Sequence, residues 1–129
     1  VVWLNGDVVF DKELLPKIIQ CSKSCMAVNT NSVGEEEIKY NVFDDGNIKD
    51  VSKTASPALG EAVGINKIMA VDFSLFKSNL EKCDDQDYFE KALELSIQDG
   101  MKIMPVNINK YLCMEIDCED DLEQINKQL

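Results

Sequence analysis

Two carboxylates, Asp7 and Asp117, stand just past apolar stretches: Asp7 follows Val1 to Leu4 through Asn5-Gly6, and Asp117 follows the run from Tyr111 to Ile116. A strand that ends in a polar turn delivers its first acidic side chain to the edge of a sheet, and in open α/β sheets ligands sit at the carboxyl ends of the strands. If the two strands are near neighbours pointing the same way, both acids reach one edge. There they would offer hard oxygen ligands to Mg²⁺, which takes one or two carboxylates and completes its shell with substrate phosphates. Each acid also has a plainer reading. Asp7 can be a turn former after Asn-Gly, and Asp117 a helix N-cap.

Composition narrows the chemistry further. The 129 residues contain no His, which removes His-based triads, His general bases and His-containing zinc sites. All 13 basic residues are Lys, against 24 acidic ones, for a net charge of -11. A field of that sign repels nucleic acid and anionic membranes, so neither is expected as a partner, and an anionic substrate needs Mg²⁺ or a local Lys to offset it. The five Cys form no C-x-x-C pair and read as reduced thiols of a cytoplasmic protein. The apolar runs are too short to span a bilayer, and no signal peptide is visible.

The elements that must position the two acids can be read from periodicity. Val1 to Leu4 reads as the middle of a buried strand, an odd place for a domain to start, so the chain is expected to be part of a longer one. A helix should follow Asp11, with Leu14, Leu15, Ile18 and Ile19 on one face; Pro16 suggests that its regular part begins near that residue. Cys25 to Asn29 completes a first β-α-β unit, and Asn31 to Glu37 is a polar loop. Lys39 to Phe43 and Ile48 to Ser52 alternate about Asp44-Asp45-Gly46-Asn47, a hairpin signal because Asp-Gly supplies left-handed conformers. Ala62 to Val71 reads as a strand interrupted at Gly64, where a missing side chain permits close approach. Helices are expected over Ser74 to Lys82 and Asp87 to Gln98, strands over Met101 to Ile108 and Tyr111 to Ile116, and a last helix from Glu119. Alternating strands and helices with an inserted hairpin predict one α/β domain: a mixed, mostly parallel sheet with helices on both faces.

The motifs, taken in order, carry a resemblance. Asn5-Gly6-Asp7-Val8-Val9-Phe10-Asp11 is similar to the strand-end motif of the sugar nucleotidyltransferase superfamily, and Met114-Glu115-Ile116-Asp117-Cys118-Glu119-Asp120-Asp121-Leu122 looks like that family's closing segment. Ser52-Lys53, Gly60-Glu61-Ala62-Val63-Gly64-Ile65-Asn66-Lys67 and Asp87-Tyr88-Phe89-Glu90 resemble the branch that makes CDP-activated phosphocholine, aminoethylphosphonate and related head groups. The resemblance implies the Rossmann-like nucleotide-diphospho-sugar transferase fold. It implies nucleotidyl transfer from an NTP, CTP in that branch, to a phosphorylated or phosphonate acceptor. Asp7 and Asp117 would hold Mg²⁺, and Lys53 would hold the acceptor's anion. Glu61 and Gly64 would face the acceptor or a ribose, and Tyr88 and Glu90 would receive a cationic head group such as choline.

The family's opening Gly-x-Gly-x-Arg loop has no counterpart here, since the chain has no Arg. Residues 1–129 are therefore expected to be the C-terminal, acceptor- and metal-binding part of the domain, inactive alone, with roughly a hundred upstream residues supplying the nucleotide half. A sheet edge left open by that half would favour a homodimer. Two other readings stay open. A metal-dependent glycosyltransferase of similar architecture would ordinarily carry an Asp-x-Asp triplet where Asn5-Gly6-Asp7 has one acid. A non-catalytic acidic interaction domain would tolerate loss of both Asp7 and Asp117.

Overall fold

The structure, a computed structural model, describes residues 1–31 and 33–129; Ser32, in the polar loop expected from Asn31 to Glu37, lies outside them. The strands are β1 (Val2–Leu4), β2 (Val8–Phe10), β3 (Cys25–Asn29), β4 (Lys39–Val42), β5 (Ile48–Ser52), β6 (Gly60–Lys67), β7 (Met104–Asn107) and β8 (Cys113–Glu115). The helices are α1 (Leu14–Gln20), α2 (Ala70–Glu81), α3 (Glu90–Gln98) and α4 (Glu119–Gln128). The main sheet runs β5-β4-β6-β3-β7, with β1 also paired to β6, and β2 and β8 form a separate two-stranded ribbon.

Strand alternation explains why the sheet is covered on both faces. In β3, Met26 and Val28 point into one core with Phe76 of α2 and Leu93 and Ile97 of α3, while Cys25 and Ala27 point into another with Leu14 and Ile18 of α1. Both sets are almost completely buried, as the two-residue period requires of a central strand. Val8, Phe10 and Cys113 of the ribbon pack onto the second core beside α1. The ribbon is thereby fixed against the sheet at the side where its acids emerge.

The mixed α/β architecture, the helices on both faces and the β4–β5 hairpin match the sequence reading. Gly46 takes the expected left-handed conformation at the hairpin tip (φ 86°). Strand direction is corrected: among the described residues only β3 and β7 pair parallel, and every other pairing is antiparallel. The β-α-β reading of β1, α1 and β3 holds with one strand between: both run antiparallel to β6 and so parallel to each other. Val1 to Leu4 is not buried. These residues are 37 to 63% exposed, because among the described residues β1 pairs with β6 alone. Pro16 sits in the first turn of α1, where its missing N–H costs no helical hydrogen bond, so the helix starts earlier than expected.

One irregularity matters for the site. β1 and β4 share one edge of β6 end to end, β1 opposite Ile65 to Lys67 and β4 opposite Gly60 and Glu61. The stretch between them bulges at Gly64 (φ 79°), where the β3–β6 register also shifts. A side chain at Gly64 would be strained by that φ and would strike the Asn5 side chain, whose Nδ2 lies 2.5 Å from an ideal Cβ. The break leaves Ala62 to Gly64 open to a cavity.

Candidate metal centre and acceptor cavity

Asp7 lies in the turn between β1 and β2, and Asp117 between β8 and α4. Their preceding strands belong to different sheets, so the expectation of two neighbouring strands delivering both acids to one edge is corrected. The ribbon brings them together instead. β2 and β8 pair antiparallel with Val8 opposite Glu115, and the Ile116 N–H donates to the Asp7 carbonyl at 2.8 Å. The result is a trio, Asp7, Glu115 and Asp117, each offering a carboxylate oxygen within 4.8 Å of the others, all exposed.

Glu115 was not singled out from the sequence, although a signal was there. Glu115 and Asp117 are two residues apart in an alternating run, the spacing that puts side chains on one face of a strand. Loss of hydration where it faces the surrounding groups pushes the Glu115 carboxyl up to about 7, with the charges of Asp117 and then Asp7 adding to the effect. Three carboxylates so close cannot all ionise comfortably without a counter-charge. Hard oxygen donors under mutual repulsion, open to solvent and to a phosphate, fit Mg²⁺ better than a softer metal.

Two hollows meet beside the trio. The first, of about 290 Å³, is lined by Glu115 and Asp117 together with Asn29, Glu37, Glu61 and Asp121. The second, of about 400 Å³, lies at the break in β6 and is lined by Asn5, Glu36, Lys53, Gly64, Tyr88, Glu90 and, again, Glu115. Four of the sequence-nominated residues, Lys53, Gly64, Tyr88 and Glu90, therefore share one cavity. Glu61 lines the adjoining one, where its Oε2 accepts the Gly34 N–H at 3.3 Å. Burial raises the Glu61 carboxyl above its ordinary range despite that bond.

Lys53 is the one cation among the residues lining either hollow. It is half exposed and lies 3.8 Å from the Glu36 carboxylate, a loose pairing that an incoming anion could displace. Tyr88 is partly buried and opens into the cavity rather than joining either core cluster. Trp3 stacks on the neighbouring Phe89 at 4.3 Å and donates its Nε1–H to Asn5 Oδ1 at 3.2 Å, bracing the cavity wall.

Glu90 carries the sharpest electrostatic tension. It is 5% exposed and makes no ion pair among the described residues, and burial raises its carboxyl above the ordinary range. A raised carboxyl means that the folded state holds its proton more tightly than the unfolded state. The penalty is absent below the unfolded value, grows as pH rises, and is complete once pH passes the folded value. Glu90→Gln is therefore expected to raise the urea midpoint at about pH 7 and to lose that advantage at about pH 4, where the unfolded carboxyl is itself protonated. Equal midpoints at both pH values would show that the carboxyl is not strained.

Among the described residues no helix is long and apolar enough to cross a membrane, and all five cysteines are free thiols. A hollow of about 500 Å³ at the hairpin tip, lined by Phe43, Ile97 and Met101 among others, shares no residue with the cleft.

No protein-family model and no curated protein matches the sequence. Solved structures do. The inositol-1-phosphate CTP transferase of T. maritima superposes with a TM-score of 0.78 at 20% identity, over 98% of this chain and 53% of its own length. The CTP:phosphocholine cytidylyltransferase of Streptococcus pneumoniae gives 0.71 at 14% identity, over 98% and 56%. The UTP-bound UGPase of Acinetobacter baumannii gives 0.66 at 11% identity, over 98% and 50%. The chain thus has the Rossmann-like fold of these nucleotidyltransferases and spans about half the length of the solved structures it matches.

Proposed function

We propose that this chain supplies the acceptor- and metal-binding part of a nucleotidyltransferase. The full-length protein would transfer a nucleotidyl group from an NTP, CTP by preference, to a small phosphorylated or phosphonate acceptor, with Mg²⁺ and with release of pyrophosphate. The observation that carries this reading is the carboxylate trio at the mouth of a cavity containing Lys53, on a fold shared with nucleotidyltransferases. The preference for CTP is supported by two of the matched structures being CTP-using enzymes.

In the reaction an acceptor oxygen attacks the α-phosphorus, a new P–O bond forms, and the bond from that phosphorus to the bridging oxygen breaks to free pyrophosphate. Such a displacement asks little covalent help of the protein; it needs alignment and neutralised charge. Asp7, Glu115 and Asp117 would hold Mg²⁺, which when bound supplies charge stabilisation to the phosphoryl oxygens. Lys53 attracts the acceptor's phosphate or phosphonate into the second hollow. Gly64, lacking a side chain, lets that group approach the β6 backbone, and Glu61 faces the adjoining space. Asp87, Tyr88 and Glu90 make the far wall acidic and aromatic, suited to a cationic amine on the acceptor. A cation there would also relieve the buried charge on Glu90.

The test is pyrophosphate release by the full-length protein from CTP and UTP, with and without Mg²⁺, across phosphocholine, aminoethylphosphonate and sugar phosphates. Mg²⁺-dependent release with CTP and an amine-bearing acceptor is expected. Transfer of a sugar from a nucleotide sugar, or no acceptor-dependent release from any NTP, would overturn the reading.

A further inference from the structure

Asp117 belongs to no regular element: it stands between the last residue of β8 and the cap of α4, so its place beside Asp7 and Glu115 depends on how the backbone from Ile116 to Cys118 is held. Its three N–H groups each donate a hydrogen bond. One is the Ile116 N–H to Asp7 bond of the ribbon. The other two converge on a single atom, Asp121 Oδ2, which accepts the Asp117 N–H at 2.9 Å and the Cys118 N–H at 3.2 Å.

We infer that Asp121 is a positioning residue of the metal centre: its carboxylate fixes the main chain from which the Asp117 ligand projects. The inference rests on the metal-centre reading above. Asp121 is the third residue of α4, and its reach back to the start of the helix is one half of a capping box. The other half, the Asp121 N–H facing Cys118 Sγ, is weak because a thiol is a poor acceptor. The lock therefore resides in the carboxylate. Ile125, 1% exposed, anchors α4 to the body of the protein, so Asp121 pulls from a fixed point. Although Asp121 lines the first hollow, it is not one of the three converging acids, so it acts through Asp117 rather than on the cation itself.

The main-chain role and a charge role separate by substitution. Asn keeps an oxygen able to accept both N–H groups and loses the charge; Ala loses both. Mn²⁺ binding to the full-length protein, read by electron paramagnetic resonance, is the measurement. Asp121→Ala is expected to weaken Mn²⁺ binding about 10- to 100-fold, the range found when groups that orient metal ligands are removed. Asp121→Asn should stay within about 3-fold of wild type, well below that range. Glu119→Ala, in the same helical turn, should leave binding unchanged and thus exclude a general effect of weakening α4. Equal losses in the Ala and Asn variants, or wild-type binding by Asp121→Ala, would overturn the inference. Wild-type protein that binds no Mn²⁺, or binds it as well after Asp7→Asn, would instead overturn the metal-centre reading itself.

Discussion

Asp117→Ala is expected to weaken Mg²⁺ or Mn²⁺ binding by the full-length protein more than about 100-fold, beyond the loss typical of removing an orienting partner. Acceptor-dependent pyrophosphate release should fall with it by at least a comparable factor. The reason is geometric. Asp7, Glu115 and Asp117 each contribute one of three oxygens lying within 4.8 Å of one another. Removing one leaves two acids whose repulsion is eased but whose grip on a cation is no longer a facing set. Glu115 should respond as well, because its carboxyl is raised to about 7 partly by Asp117, so in the variant it should titrate lower. Asp7→Ala should act in the same direction, and the double variant should lose little more than either single one, since the ligands work as a unit. Titration of Mn²⁺ with and without NTP checks this. Retained binding and turnover in Asp117→Ala would leave the acidic trio without the proposed task.

Gly60→Ala should be the most destabilising of the glycine substitutions, at about 3 kcal/mol or more, the scale of forced overpacking in a filled site. Gly60 opens β6 where three strands meet. A Cβ added there would run into the backbone carbonyl oxygen of Asn29 at the end of β3 and lie 3.0 Å from Tyr40 Cε1 of β4. Neither neighbour can yield easily. Asn29 is held by its pairing with Glu61, and Tyr40 is buried in the core against the hairpin. Gly6→Ala makes the control, because nothing lies within 4 Å of the added carbon. Urea unfolding of the two variants should separate them clearly, and equal midpoints would show that the β3–β6–β4 junction has slack.

What the sequence made legible follows from local physics, and what it hid follows from distance along the chain. Asp45-Gly46 announced its hairpin because the left-handed requirement of the turn is met by one residue. The spacing of Leu93 and Ile97 announced the buried face of α3, and Leu14 and Ile18 that of α1. The ribbon was invisible. Val8 to Phe10 is too short to show a period, and its partner lies at the other end of the sequence. Glu115 has a local signal in its two-residue spacing from Asp117, but its nearness to Asp7 comes from the ribbon alone. The exposure of Val1 to Leu4 is hidden from the sequence for a related reason. Four consecutive apolar residues signal a strand, but whether a helix covers it is decided by elements far away. In the second hollow, sequence resemblance nominated Lys53, Gly64, Tyr88 and Glu90, while their meeting there depends on the break in β6, which no local pattern encodes.

The three-rung ribbon of Val8 to Phe10 against Cys113 to Glu115 ties together segments translated early and late. During synthesis, Asp7 leaves the ribosome long before Glu115 and Asp117 have been polymerised. The three carboxylates accordingly come together only once β8, the last strand in chain order, has been made and paired with β2.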